Sequence, residues 1–202
     1  MNSSDEDRRH REKMKKWKEL QDKEVANKKI SKGVLAVHTG AGKGKSTAAF
    51  GVALRMLGHG KKVVVVQFIK GAWLTGEREA LKRFDDLVEW HSMGEGFTWD
   101  TQDKQRDIAA CERGWSVAQE ALKKEDVALV ILDELNIALR YDYLSLDLVL
   151  SDLKSRPVMQ HVIVTGRNAK AELIEAADMV TEMTPVKHHF DAGVKAQAGF
   201  EF

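Results

Sequence analysis

The sequence predicts an α/β protein, a mostly parallel central sheet flanked by helices, with an N-terminal helical extension. Three observations carry this. Short apolar, β-branched runs alternate with helix-length segments from Gly33 onward. The first run, Val34–Val37, breaks into a glycine-rich turn, Thr39–Thr47, that leads into a helix pattern from Ala48. A later run, Val127–Leu132, closes on two carboxylates, Asp133 and Glu134. Such alternation builds parallel strands joined by right-handed helical crossovers and puts the ligand edge at the strand C-termini.

The bulk numbers fit one such domain. The chain has 202 residues, 43% hydrophobic and 31% charged, enough to bury a sizeable core. A net charge of +1 argues against a dedicated nucleic-acid binder, which needs a strong basic field. The single cysteine, Cys111, excludes an intramolecular disulfide, fits a reducing compartment and reads as helix packing. No apolar run approaches a membrane span, and the N-terminus is too charged for a signal peptide. A cytoplasmic location is expected.

Taken in order, residues 1–32 form a charged arm and residues 33–202 a single α/β domain. The arm carries eleven Lys/Arg against seven Asp/Glu, while the rest of the chain is slightly acidic. Met14, Trp17 and Leu20 make a narrow apolar edge at near-helical spacing. Two readings stand: a solvated, partly disordered tail, which the composition favours, or a helix docking that edge on the body or a partner subunit. After the first strand and its helix, Gly58-His59-Gly60 stops the helix and Lys62–Phe68 forms a strand buried on both faces. A short helix over Gly76–Phe84 and a lesser strand at Val88–His91 follow. A glycine-bracketed loop, Gly94–Trp99, leads into a long helix over Asp103–Lys124. Beyond the strand ending at Leu132 come helices at Leu135–Arg140 and Ser145–Ser155, with Ser145 as N-cap. A strand at His161–Gly166, a helix at Ala169–Ala177 and a strand at Met179–Met183 complete the order.

Strand, glycine-rich turn, lysine, hydroxyl and helix is the order that holds a nucleotide phosphate chain. Glycines let backbone N–H groups curl around phosphate, Lys45 supplies a point charge and Ser46 offers a hydroxyl to Mg²⁺. Lys45 is expected on a solvent-facing loop. The motif departs from the general pattern: Thr39 occupies the slot of the leading glycine, and Gly40 comes one residue late. At the next strand end, Asp133 is the expected metal-side carboxylate and Glu134 a second ligand or a nucleotide contact. Arg167, after the strand ending Thr165-Gly166, either faces phosphate or is a surface arginine. Phe97 and Trp99 either pack beneath their loop or line a cleft for a flat ligand, packing being the commoner fate. His188-His189 lacks the spaced partners of a zinc site.

These stretches together resemble the P-loop ATP:corrinoid adenosyltransferases of the cobalamin pathway. The matching segments are Thr39–Gly51, Gly58–Gly71, Gly96–Trp99, Leu132–Leu135, Tyr141–Leu144, Thr165–Arg167 and Pro185–Gly199, nearly the whole body. The resemblance implies a recombinase-like P-loop fold and a homodimer in which the N-terminal helix covers a corrinoid on the partner subunit. It implies transfer of the 5′-deoxyadenosyl group of ATP to cobalt(I) of a corrinoid, with release of triphosphate. The substrates would be ATP with Mg²⁺ (or Mn²⁺) and cobalamin, cobinamide or cobyrinic acid diamide, with a flavoprotein as electron donor. Thr39, Gly40, Ala41, Gly42, Lys43, Gly44, Lys45, Ser46 and Thr47 would hold the triphosphate with Arg167, while Ser46, Asp133 and Glu134 serve the metal. Lys45 and Glu134 would support catalysis, and Phe97 and Trp99 would pack on the corrin face and keep the lower axial ligand off cobalt. Ala41 stands where many relatives carry Asn, and Ser46 where Thr is usual. The competing activity is ATP hydrolysis or phosphotransfer through the same two motifs.

Overall fold

The central apolar runs become strands because only a doubly covered parallel sheet buries both faces of such a run. The computed structural model describes residues 3–69, 75–93 and 104–201. The strands are β1 (Leu35–Thr39), β2 (Lys62–Gln67), β3 (Val88–Ser92), β4 (Val127–Asp133), β5 (His161–Thr165) and β6 (Met179–Glu182). They form one six-stranded sheet in the order β3-β2-β4-β5-β1-β6. Every pairing is parallel, where a mostly parallel sheet was expected.

Side chains alternate between the two faces of the sheet. Val63 and Val65 join Ala36, Leu129, Ile131 and Ile163 under α2 (Lys45–Gly58), whose Ala49, Phe50, Ala53 and Leu57 are buried there. Val64 and Val66 face the other way, with Leu35, Val37, Leu132 and Val164. That face is covered by the helices α4 (Lys104–Ala121), α5 (Leu135–Arg140), α6 (Leu146–Ser155) and α7 (Ala171–Ala176). A short α3 (Gly76–Leu81), capped by the Thr75 hydroxyl, runs into a 3-10 turn ending at Phe84. Ser145 caps α6 by accepting from the Leu148 N–H at 3.4 Å, as its sequence position suggests. Cys111 is buried on α4, and burial pushes its thiol up to about 12.

Three helix boundaries differ from expectation for identifiable reasons. α2 starts at Lys45 rather than Ala48, because Gly44 already serves as its N-cap. α4 ends at Ala121 rather than Lys124, where the buried Gln160 amide donates to the carbonyls of Ala121, Lys124 and Val127. α7 starts at Ala171 rather than Ala169, because the Ala169 N–H donates to Thr39 Oγ1 at 3.1 Å.

Residues Met1–Lys32 and Gly33–Phe202 are two separate units. The first is helical over Ser3–Ala26 (α1), not the partly disordered tail its composition favoured. Asp5 and Glu6 in its first turn and Lys23 in its last complement the helix dipole. Met14, Trp17 and Leu20 lie on it as exposed apolar side chains.

Candidate active site

The glycine-rich turn leaves β1 at the C-terminal edge of the sheet. Thr39, in the slot of the leading glycine, is still a strand residue, paired with Glu182 of β6. The chain turns at Gly40, whose φ is +92°. A Cβ there would lie 2.5 Å from the Met183 carbonyl oxygen and 2.8 Å from its nitrogen. The late glycine therefore marks where this strand ends and where the loop grazes the backbone beyond β6. The Thr39 carbonyl accepts from the Met183 N–H at 2.9 Å, and the Gly42 N–H donates back to the Met183 carbonyl at 2.6 Å.

Gly44 closes the loop in the left-handed region, φ 103°, and caps α2 without a side-chain hydrogen bond. No acidic residue stands in the first turn of α2, so the positive end of its dipole carries no carboxylate of its own. Lys45 is buried, at 9% exposure, and its Nζ donates across the loop to the Gly42 carbonyl. The expectation of a solvent-facing lysine is thereby corrected: the turn wraps around its own lysine. Ala41, Lys43 and Thr47 are exposed and Ser46 half-buried. Lys43 pairs with Glu201, which also lies 3.3 Å from His189 Nε2. The Lys43 ammonium holds the Glu201 carboxyl below its usual range. Nothing in the spacing of these residues signalled that the C-terminal segment reaches the loop.

Asp133 ends β4, fully buried. Its Oδ1 accepts from the Thr165 hydroxyl at 2.7 Å and its Oδ2 from Gln67 Nε2 at 2.9 Å. Glu134 follows in a left-handed conformation, φ 62°, sparsely populated for a residue with a side chain. Its N–H donates to Thr165 Oγ1 at 3.0 Å, so one hydroxyl ties both acidic residues to β5. Arg167 is exposed, one residue beyond Gly166 at the end of β5. Phe97 and Trp99 lie outside the described residues.

The turn and the two acids thus share the C-terminal edge. A hydroxyl at the start of α2 with carboxylates at the end of β4 is an oxygen donor set, suited to a hard cation such as Mg²⁺. Among the described residues there is no group of three or more His, Cys, Asp or Glu that could hold a metal by itself. Phosphate oxygens and water would have to complete such a shell. Chemically, the arrangement suits a polyphosphate beside a divalent cation. It offers no activated Ser or Cys nucleophile among the residues just described.

Comparison with known proteins gives a consistent result along the chain. The family model described as ATP:corrinoid adenosyltransferase BtuR/CobO/CobP matches residues 31–202. The model described as Cob(I)alamin adenosyltransferase N terminal matches residues 1–25. The chain is 59% identical over 203 residues to a corrinoid adenosyltransferase of Pseudomonas aeruginosa, covering 100% of both chains. It is 48% identical to one of Escherichia coli K12 and 47% to the corrinoid adenosyltransferase CobA of Salmonella typhimurium. In both cases 97% of this chain and 99% of the relative are covered. Among solved structures, the helicase domain of Pyrococcus furiosus Hef aligns with a TM-score of 0.41 at 16% identity, over 86% of this chain and 39% of that one.

Proposed function

The chain belongs to the ATP:corrinoid adenosyltransferase family, and from that premise we propose how its own residues serve that activity. The protein is a corrinoid adenosyltransferase whose substrates are ATP and a corrinoid. The observation that carries the site reading is the closed turn Thr39–Thr47 between β1 and α2, at the sheet edge where β4 delivers Asp133 and Glu134.

Gly40, Ala41, Gly42, Lys43, Gly44, Lys45, Ser46 and Thr47, with Thr39 anchoring the turn to β6, hold the triphosphate, and Arg167 adds a charge at the end of β5. Cobalt(I) of the corrinoid attacks the ribose 5′ carbon. The carbon–oxygen bond breaks and its electron pair leaves with the triphosphate. Charge grows on the departing oxygens, and Lys45 together with the dipole of α2 stabilises it there. A divalent cation at Ser46, Asp133 and Glu134 would neutralise further phosphate charge. No protein base is required, because the nucleophile is the metal of the substrate and triphosphate leaves unprotonated. The chain's task is orientation, worth many orders of magnitude when the reacting atoms are aligned.

The rest of the reading extends to the arm, the aromatic loop and the partners. Two copies pair, and the α1 helix of each covers the corrinoid of the other with its Met14/Trp17/Leu20 edge. Phe97 and Trp99 pack on the corrin face and exclude the lower axial ligand, leaving four-coordinate cobalt(II) that a flavoprotein reduces. The working compartment is the cytoplasm; among the described residues no helix is long and apolar enough to cross a membrane. Residues 1–32 act as the arm and 33–202 as the catalytic domain.

Incubation with ATP, Mg²⁺ and chemically reduced cobalamin tests the activity: a light-sensitive alkyl-cobalt product and triphosphate are expected. ADP and phosphate without alkylation would overturn it. For the aromatic loop, Phe97→Ala and Trp99→Ala should keep turnover with prereduced cobalt(I) yet lose it when a weak reductant must first reduce cobalt(II). An unchanged ratio of the two activities removes both residues from the corrin site.

A further inference from the structure

The strand register places a row of polar residues along the C-terminal edge of the sheet. Ser92 of β3 is level with Gln67 of β2, and Gln67 with Asp133 of β4. Thr165 of β5 is level with His38 of β1, and His38 with Thr181 of β6. The Thr165 hydroxyl joins the two halves at Asp133. One residue earlier, the four central strands carry Val66, Leu132, Val164 and Val37. The change from apolar to polar is abrupt, and it falls where the nucleotide turn begins.

Hydrogen-bond directions along this row follow from donor chemistry. The Trp90 indole N–H can only donate, and it reaches Gln67 Oε1 at 3.1 Å, as does the Ser92 hydroxyl. Gln67 must therefore turn its amide NH₂ toward Asp133, where it donates to Oδ2 at 2.9 Å. From the opposite side, Thr165 Oγ1 accepts the Glu134 N–H, which leaves its own hydrogen for Asp133 Oδ1. Asp133 thus receives one fixed donor on each oxygen. The two donors hold the plane of the carboxylate. Gln67 is buried, at 3% exposure. Trp90, which orients it, packs 5.1 Å from Phe50 on α2, the helix that begins at Lys45.

We infer that Gln67, seconded by Thr165, is a positioning residue for the metal–nucleotide site, setting the orientation of the Asp133 carboxylate. The inference rests on the proposed reading of Asp133 as a metal-side residue. Partners of this kind that orient metal-binding groups typically change metal affinity 10–100-fold when removed. A polar residue at the last position of an apolar strand, Val63-Val64-Val65-Val66-Gln67, is its sequence signature.

The test compares Gln67→Leu with the unsubstituted protein by calorimetric titration of ATP, in chelator and across a Mg²⁺ series. In the unsubstituted protein ATP binding should tighten with Mg²⁺. In the variant the Mg²⁺ needed for half of that effect rises about 10–100-fold, while ATP affinity in chelator stays the same and kcat falls more than KM changes. The indole N–H resonance of Trp90 gives a second readout. It moves with Mg²⁺ and ATP in the unsubstituted protein, and no longer follows the metal in the variant. If Gln67→Leu does not fold, Thr165→Val must show the same metal shift, and Thr165→Ser, which keeps the hydroxyl, must restore it. An unaltered Mg²⁺ requirement, or a parallel loss of metal-free ATP binding, overturns the inference. Indifference of the unsubstituted protein to Mg²⁺ would instead overturn the metal reading itself, before any variant is compared.

Discussion

Replacing Gly40 by alanine should separate the demands of the turn from those of the helix that follows. The added methyl would sit 2.5 Å from the Met183 carbonyl oxygen, 2.8 Å from its nitrogen and 3.0 Å from Glu182 Cγ. Two of these atoms belong to the backbone beyond β6, which cannot rotate aside. Overpacking of this type costs about 1–3 kcal/mol. A φ of +92° adds about 1–2 kcal/mol for a residue with a Cβ. The total is about 2–5 kcal/mol. If the whole domain bears it, the melting temperature falls by about 4–20 °C, at 2–4 °C per kcal/mol for a chain of this size. If the turn yields alone, the cost appears in ATP binding, as an affinity loss of at least about tenfold, since 1.4 kcal/mol is a factor of ten. Thermal unfolding by circular dichroism and ATP calorimetry read the two channels. Gly51→Ala is the internal control: it lies inside α2 with nothing within 4 Å of the added methyl. There the helix gains about 0.8–1 kcal/mol from alanine and should melt higher. A Gly40→Ala protein with unaltered melting and unaltered ATP affinity would refute the packing argument for the displaced glycine.

Lys45→Ala should abolish turnover and weaken ATP binding about 10–100-fold, the loss expected for a charged hydrogen bond worth 1.5–3 kcal/mol. Because Lys45 is buried and donates to the Gly42 carbonyl, stability should also fall by about 1.5–3 kcal/mol, readable in the same melts. Near-normal turnover would remove the turn from the active site. His161 sets an acid limit: its Nδ1 accepts the Val34 N–H at 3.1 Å, and burial, then the Arg156 charge, lowers its pKa below the ordinary 6.5. The unfolded chain then binds the proton more readily than the folded one, so this contribution is intact above pH 6.5 and is lost as pH falls below it. Melting temperatures from pH 8 to pH 5 should decline more steeply in the unsubstituted protein than in His161→Asn; equal slopes would exclude His161 as the cause.

Local chemistry made much of the fold legible. Val63–Val66 and Leu129–Leu132 are apolar runs that only a doubly covered parallel strand accommodates, and Ser145 announces its helix by capping chemistry. The turn was equally plain from its glycines and Lys45, and the placing of Asp133 and Glu134 at a strand end from the apolar run before them. What escaped were features set by residues far apart in sequence. The reason for Gly40 rather than Thr39 is the backbone of Met183. The burial of Lys45 follows from the closing of its own turn, and the Lys43–Glu201 pair joins residues 158 apart. Gln67 reads as the end of a strand until the register sets it beside Asp133. The helix over Ser3–Ala26 agrees with the expected N-terminal helical extension, although composition alone leaned toward a tail, since a highly charged helix and a disordered tail draw on the same residues. Phe97 and Trp99 took their proposed role from resemblance alone.

The place of β1 between β5 and β6 has a consequence for how this enzyme comes into being. Val34 hydrogen-bonds His161 across 127 residues of chain, and Leu35 hydrogen-bonds Asp178 across 143. During synthesis the glycine-rich turn leaves the ribosome well before the backbone it leans on at Met183. Pairings of such range form slowly, because a long loop must close before any contact rewards it. A nascent chain halted before Met183 would carry the whole glycine-rich motif and still lack the cradle.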